Sequence, residues 1–378
     1  MKIETLAVHA GRTPDPATGA VREPIQLSTT FERDADGGYP HGHNYSRTSN
    51  PNRDSLERAI AALEGGTDAF AFGSGSAATL AAFSLATPGG RIVCSEDCYH
   101  GTAKQLRDVL PKWGVSAEFV DTTDVAAVSR ALDTPTSMLW IETPSNPLLR
   151  VSDIAALAAL ARERGALLAC DNTFASPILQ RPFELGADLV MHSTTKYLGG
   201  HSDVLGGALV VNGSGPLRDR LRDFQGTTGG VPSPFDCWLV LRSLATLPLR
   251  VRAQAASALV IAQFLEADRR VERVYYAGLA AHPGHALAAR QMRDGFGAVM
   301  SILVPGGAAE AMRVAGRTTI FTRATSLGGV ESLIEHRASV EGPHSRTPQN
   351  LLRMSIGLEA TSDLIADLDE ALGGLRPL

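Results

Sequence analysis

Lys196 falls in Met191-His192-Ser193-Thr194-Thr195-Lys196-Tyr197-Leu198-Gly199-Gly200-His201, just after the apolar stretch 188–191. A second short block, Leu167-Leu168-Ala169-Cys170-Asp171-Asn172-Thr173, lies upstream. Each reads as a buried strand with a reactive residue at its C-terminal end, where α/β sheets place ligands. A lysine in that position, flanked by hydroxyls, is suited to form a Schiff base with an aldehyde. A strand-end aspartate is suited to keep a pyridinium nitrogen protonated. Pyridoxal 5′-phosphate (PLP) requires both. The same pairing removes the cost of burying Asp171 alone.

Two further segments carry chemistry. Gly73-Ser74-Gly75-Ser76-Ala77-Ala78 follows one predicted strand and opens a helix. Its backbone amides and the helix N-terminus favour an anion. It also fits the dinucleotide pattern G-x-G-x-x-A, with Glu96 about where a ribose-binding acid belongs, so a nicotinamide dehydrogenase competes on this motif. That reading leaves Asp171 and the Ser-x-Thr-Lys run without a role. A PLP reading uses all three, with Gly75, Ser76, Ser193 and Thr195 around one phosphate. Arg353, inside the apolar run Leu352-Arg353-Met354-Ser355-Ile356, calls for a planar anion such as an amino-acid carboxylate, or else a structural salt bridge. Tyr99 stands after a strand and could stack on a cofactor ring or belong to the core. His41, His43, His100 and His201 lack metal-ligand spacing and are assigned loop or supporting positions.

These residues need a scaffold. Strands are predicted at 68–72, 91–95, 115–120, 137–141, 166–170, 188–191 and 206–211. Helices are predicted at 76–86, 100–110, 124–132, 152–164 and 216–224, after an amphipathic helix at 54–63 that stops at Gly65-Gly66. The alternation implies a mostly parallel sheet covered on both faces. Pro232–Pro234 marks a break before one long helical stretch at 235–269. Strands at 271–276, 297–303, 318–321 and 351–356, between helices, imply a smaller α+β domain. Residues 1–50 lack periodicity, and a segment that long is either mobile or committed to a neighbour.

The chain has 378 residues, 44% hydrophobic and 20% charged, with a formal charge of −5. This favours two domains and argues against a nucleic-acid-binding surface. No apolar run is long enough to span a bilayer, and the start has no apolar signal region, so the expected location is cytoplasmic. Its four cysteines, Cys94, Cys98, Cys170 and Cys237, match no zinc or C-x-x-C spacing and read as reduced thiols.

With these residues assembled, the chain resembles the γ-family of trans-sulfuration PLP enzymes. That family includes cystathionine γ-synthase, cystathionine γ-lyase, cystathionine β-lyase, methionine γ-lyase and the O-acylhomoserine sulfhydrylases. The resemblance runs nearly end to end. It rests on Tyr45-Ser46-Arg47-Thr48-Ser49-Asn50-Pro51, Glu142-Thr143-Pro144-Ser145-Asn146-Pro147, Asp171-Asn172-Thr173-Phe174, Ser193–Lys196 with Tyr197–Asp203, Val231-Pro232-Ser233-Pro234-Phe235-Asp236 and Ser326-Leu327-Gly328-Gly329-Val330-Glu331-Ser332-Leu333.

The resemblance implies a fold-type I, aminotransferase-like α/β architecture. Residues 1–50 would be an arm reaching the neighbouring subunit, 51–250 a PLP-binding large domain and 251–378 a C-terminal small domain. It implies a homotetramer of two active-site-sharing dimers, in which Tyr45 and Arg47 reach the neighbour's PLP phosphate and catalytic centre. Tyr99 would stack on the ring, Asn146 would lie near its phenolic oxygen, and Ser326 and Arg353 would hold the substrate carboxylate. The family's Tyr-Gly-Gly-Thr pattern is Tyr99-His100-Gly101-Thr102 here, and methionine γ-lyases usually carry Cys at the Gly101 position. Cystathionine γ-synthases and γ-lyases usually have Arg where this chain has Lys104, and Glu where it has Thr325. Both positions help to bind the distal part of the substrate. The implied activity is γ-elimination or γ-replacement on sulfur amino acids or activated homoserine. A β-lyase on the same scaffold is the runner-up, and a PLP-binding protein without catalysis is the alternative of another class.

Overall fold

The computed structural model describes residues 1–341 and 346–375, and all structural statements concern those. The larger sheet has seven strands: β1 Asp68–Phe72, β2 Arg91–Ser95, β3 Ser116–Val120, β4 Met138–Glu142, β5 Leu167–Asp171, β6 Leu189–His192 and β7 Gly207–Val211. Their order is β1-β7-β6-β5-β4-β2-β3. From β6 to β3 every neighbouring pair is parallel. Only β7 runs against both of its neighbours. Strands β4, β6 and β7 are buried along their whole length, which is why they read as continuous apolar runs rather than alternating ones.

Helices Gly75–Phe83, Val125–Ala131, Ile154–Glu163 and Pro216–Thr228 occupy the connections. The helix Pro51–Glu64 shows how the local sequence sets its bounds. Asn50 accepts from the Asn52 N–H, Pro51 takes the first turn, and Gly65 ends the helix at φ +77°. The predicted helix at 100–110 is interrupted: an α-turn at His100–Lys104 passes into a wider π-turn at Gln105–Val109.

The smaller sheet contains β8 Arg273–Tyr275, β9 Val299–Leu303, β10 Thr322–Arg323, β11 Leu333–His336 and β12 Leu351–Ser355, in the order β10-β11-β12-β9-β8. Three expectations need correction. The helical stretch at 235–269 is two helices, Pro234–Leu244 and Leu247–Ala267, the second with Pro248 in its first turn. Pro248 is tolerated there because first-turn amides have no intrahelical partner. The strand expected at 318–321 is reduced to Thr322–Arg323, because the N–H groups of Thr319, Ile320 and Phe321 all donate to the Asp367 carboxylate. The segment 1–50 is not wholly irregular: Ile3–His9 is helical and packs on helices Pro51–Glu64 and Leu247–Ala267.

The sheets are joined behind the site. Tyr197 is buried, and its hydroxyl accepts from the Ala298 N–H at 3.2 Å. No helix among the described residues is long and apolar enough to cross a membrane.

Candidate active site

The loops after β1, β2, β4, β5 and β6 leave the same edge of the larger sheet. With the 325–327 loop and β12 they enclose a cavity of about 390 Å³. Eleven of the fourteen residues singled out from the sequence line it: Lys196, Asp171, Gly75, Ser76, Ser193, Thr195, Tyr99, Asn146, Ser326, Thr325 and Arg353.

Lys196 projects from a clamped turn. The Gly199 N–H donates to Thr194 O and the Gly200 N–H to Lys196 O, both at 2.7 Å. Gly200 has φ +69°, and a Cβ there would meet Arg250 Nη1 at 2.1 Å. Arg250 in turn donates to Tyr197 O at 2.9 Å. The Lys196 ammonium donates to Ser326 Oγ at 2.8 Å. Burial, and then the Arg353 charge, bring the Lys196 pKa down to about 8. Ser326 sits at φ +107°, a region that side-chain-bearing residues seldom occupy.

Asp171 closes β5, and its Oδ1 accepts from the Thr173 N–H at 3.0 Å. Burial pushes its carboxyl up, against the hydrogen bonds from Thr173. Among the described residues Asp171 makes no direct ion pair. Behind it, Asn172 donates to Glu64 Oε1 at 2.8 Å, and the same oxygen bonds His192 Nε2 in a fully buried pair.

The glycine loop is tied to the lysine loop. Ser74 caps helix Gly75–Phe83 by accepting from the Ala77 N–H at 3.1 Å. A Cβ on Gly75 would lie 2.9 Å from Ser193 Cβ and Oγ, so only glycine lets the helix N-terminus come this close. The Ser193 N–H donates to Thr173 Oγ1 at 2.9 Å, and Thr195 Oγ1 exchanges hydrogen bonds with Gly206 at 3.0 and 3.1 Å. The Tyr99 N–H donates to Glu142 Oε2 at 2.7 Å. Burial and then the neighbouring Asp171 carboxylate hold Glu142 well above the usual carboxylate range. The Tyr99 ring lies over Gly101, where a Cβ would be 2.4 Å from Tyr99 Cε1.

Arg353 is buried on β12. It donates to Asn146 Oδ1 at 2.8 Å and to Ser326 O at 3.0 Å, and it pairs closely with Glu335. Glu335 is shared with a second buried guanidinium, Arg337, at 3.2 Å. Arg337 also donates to Glu341 Oε1 at 2.9 Å and to His100 Nδ1 at 3.1 Å. Burial lowers the Arg353 pKa to about 10, which leaves it charged at neutral pH.

The other three of the fourteen, and Glu96, lie outside this cavity. Lys104 pairs with Asp108 at 3.0 Å and lines a second cavity of about 400 Å³ that shares His100 and Asn146 with the first. Tyr45 and Arg47 belong to an exposed segment, where Arg47 donates to Gly226 O at 2.6 Å. Glu96 pairs with Arg150 at 3.0 Å in the second cavity, which removes the ribose-binding acid that a dinucleotide reading needs beside the glycine loop. Sequence reasoning missed Thr173, Glu142, Glu335 and Arg337. Asp171-Asn172-Thr173 did carry a signal, since an aspartate often accepts from the amide two residues on.

Lysine, aspartate and anion-suited helix N-terminus, gathered at the strand ends of this sheet, define a PLP-dependent enzyme of fold-type I. Residues 4–373 match the family described as Cys/Met metabolism PLP-dependent enzymes, and the chain belongs to it. It is 47% identical over 375 residues to a cystathionine γ-synthase of Mycobacterium tuberculosis, covering 98% of this chain and 96% of the relative. It is 44% identical over 381 residues to a cystathionine β-lyase of Coxiella burnetii, covering 98% and 97%. A solved cystathionine γ-lyase from Lactobacillus plantarum, complexed with L-serine, matches with a TM-score of 0.95 at 39% identity, covering 100% of both chains.

Proposed function

We propose that this enzyme carries out γ-elimination or γ-replacement on a four-carbon amino acid with a γ-leaving group, in the manner of cystathionine γ-synthase or γ-lyase. The observation that carries the reading is the Lys196 amine in one cavity with the Arg353 guanidinium and the Asp171 carboxylate. The donor set fits PLP. Lys196 would take its aldehyde, and Asp171, which has no ion-pair partner among the described residues, would take its ring nitrogen. Gly75, Ser76, Ser193 and Thr195 would hold its phosphate, Tyr99 its ring face, and Asn146 would lie near its phenolic oxygen. When bound, PLP supplies an electron-accepting ring that stabilises negative charge on the substrate carbons.

The chain's own groups do the rest. Arg353 and Ser326 bind the substrate carboxylate, with Asn146 fixing the guanidinium. Lys196, once free, moves protons at the substrate carbons. A pKa near 8 suits an amine that must accept and return a proton near neutral pH. Thr325 and Lys104 border the space for the distal part of the substrate. Tyr45 and Arg47 act in the neighbour's site, within a homotetramer of two site-sharing dimers that we place in the cytoplasm. Residues 1–50 form the arm, 51–250 the PLP-binding domain and 251–378 the smaller domain.

Product analysis with cystathionine, O-acylhomoserine plus cysteine, and methionine tests the reading. Cystathionine formed from the ester, or 2-oxobutanoate released from cystathionine, supports it. Pyruvate from cystathionine would point to β-elimination instead. Absence of all three products from protein that shows the bound-PLP absorption band would overturn it.

A further inference from the structure

His100 lines both the site cavity and the adjoining cavity of about 400 Å³, so it stands where the two meet. Its Nδ1 lies 3.1 Å from an Arg337 terminal nitrogen. A guanidinium can only donate, so Nδ1 must be the acceptor and the neutral ring must carry its proton on Nε2. Arg337 cannot turn away easily. It is buried, and its other donors are taken by Glu335 at 3.2 Å and Glu341 at 2.9 Å. The Tyr99 ring packs on the imidazole as well, 4.5 Å between centroids and tilted by 57°. Nε2 has no hydrogen-bond partner among the described residues. A donor with a fixed tautomer, a braced ring and no protein acceptor is preorganised for an acceptor that arrives with the ligand.

We infer that His100 is a specificity-determining residue whose Nε2–H receives a carboxylate on the distal part of the substrate. This rests on the γ-substituted amino-acid reading above, because such a substrate, held by Arg353 at one end, directs its γ-group away from Arg353. Cations stand close to the ring: Arg337 donates to it, and Lys104 and Arg107 line the adjoining cavity, where carboxylates that include Asp108 and Glu341 also lie. A charge-assisted bond of this type discriminates more strongly than a neutral one.

The test uses the holoenzyme with two esters of homoserine, the succinyl ester, which has a distal carboxylate, and the acetyl ester, which has none. His100→Asn retains an acceptor near Nδ1 for Arg337 but removes the Nε2 donor. His100→Gln places an amide N–H near Nε2. His100→Asn should lower kcat/KM for the succinyl ester by about tenfold or more, mainly through KM, and change the acetyl ester by less than about threefold. His100→Gln should recover most of the loss. Equal losses for both esters, or no loss for the succinyl ester, would overturn the assignment. If wild-type enzyme turns over neither ester, the reaction reading fails separately. The Kd values of the two esters, read from the change in the cofactor absorption band, then decide: a succinyl preference that His100→Asn abolishes upholds the assignment, and equal affinities refute it.

Discussion

Lys196 is buried beside Arg353, and both facts disfavour its charge, so its pKa falls to about 8. Only the neutral amine attacks an aldehyde. The rate at which cofactor-free protein captures PLP should therefore rise with pH and level off above about 8, falling about tenfold per unit below it. Stopped-flow absorbance from pH 6 to 9.5 would show this, and borohydride should then fix the cofactor to Lys196 alone. A rate still rising at pH 9.5 would mean that the amine keeps its ordinary pKa. Asp171 gives a prediction of opposite sign. Burial raises its pKa above the ordinary 3.8, so in cofactor-free protein its stabilising effect is fully present below 3.8 and is lost as pH rises through the raised value. Asp171→Asn should accordingly raise the Tm of cofactor-free protein at pH 7 relative to wild type, with the gap closing in acid. In the loaded enzyme the same change should cost orders of magnitude in kcat. Both residues were legible in the sequence because each ends or closely follows a short apolar run. Glu335 was not, because its meaning comes from its position opposite Arg353 in the β11–β12 register, a pairing that neither segment announces alone.

At the scale of elements, burial decided which strands could be read. Apart from the partly exposed edge strand β3, the runs that became the larger sheet are mainly apolar, and most sit between helical patterns, so period and length sufficed. Strand β11 reads Leu-Ile-Glu-His, yet all of it is buried. Its glutamate is neutralised by two arginines, and His336 Nε2 bonds Gln349 O at 2.7 Å. Polar residues satisfied by distant partners hide a strand from any reading of hydropathy. The segment 318–321 fails the opposite way: Thr-Thr-Ile-Phe has strand propensity, but Asp367 collects its amides first. The glycine loop was legible as an anion-suited turn, but its choice of ligand was not. What decides is its fit against Ser193. Gly75→Ala would force the helix N-terminus and the lysine loop apart, since a Cβ would come within 2.9 Å of Ser193. The expected cost is about 1–3 kcal/mol in stability. A weaker Kd for PLP, by about tenfold or more, should accompany it. Calorimetry and cofactor titration separate the two effects, and an unchanged Kd with a lowered Tm would place the phosphate elsewhere.

For the whole molecule, the open question is what the exposed N-terminal segment serves. Tyr45 and Arg47 are held in place locally. Arg53 donates to Ser46 O at 2.7 Å, Arg47 donates to Gly226 O at 2.6 Å, and its guanidinium lies 5.6 Å from the Tyr45 ring. Yet neither lines the cavity of its own chain. A cation and a phenol presented at the surface by a braced loop suit a site in a second copy, and a closed two-fold dimer would supply each copy's pair to the other. In that arrangement Arg47→Ala and Lys196→Ala damage different sites of a mixed dimer. One hybrid site then receives both defects and the other receives none. Each variant alone should be inactive or nearly so, and mixing them under conditions of subunit exchange should restore activity, approaching about a quarter of wild type when the two exchange freely in equal amounts. Differently tagged subunits recovered as hybrids would establish that exchange had taken place. Hybrids without activity would mean that Arg47 serves its own chain's site, and the arm would then need another role.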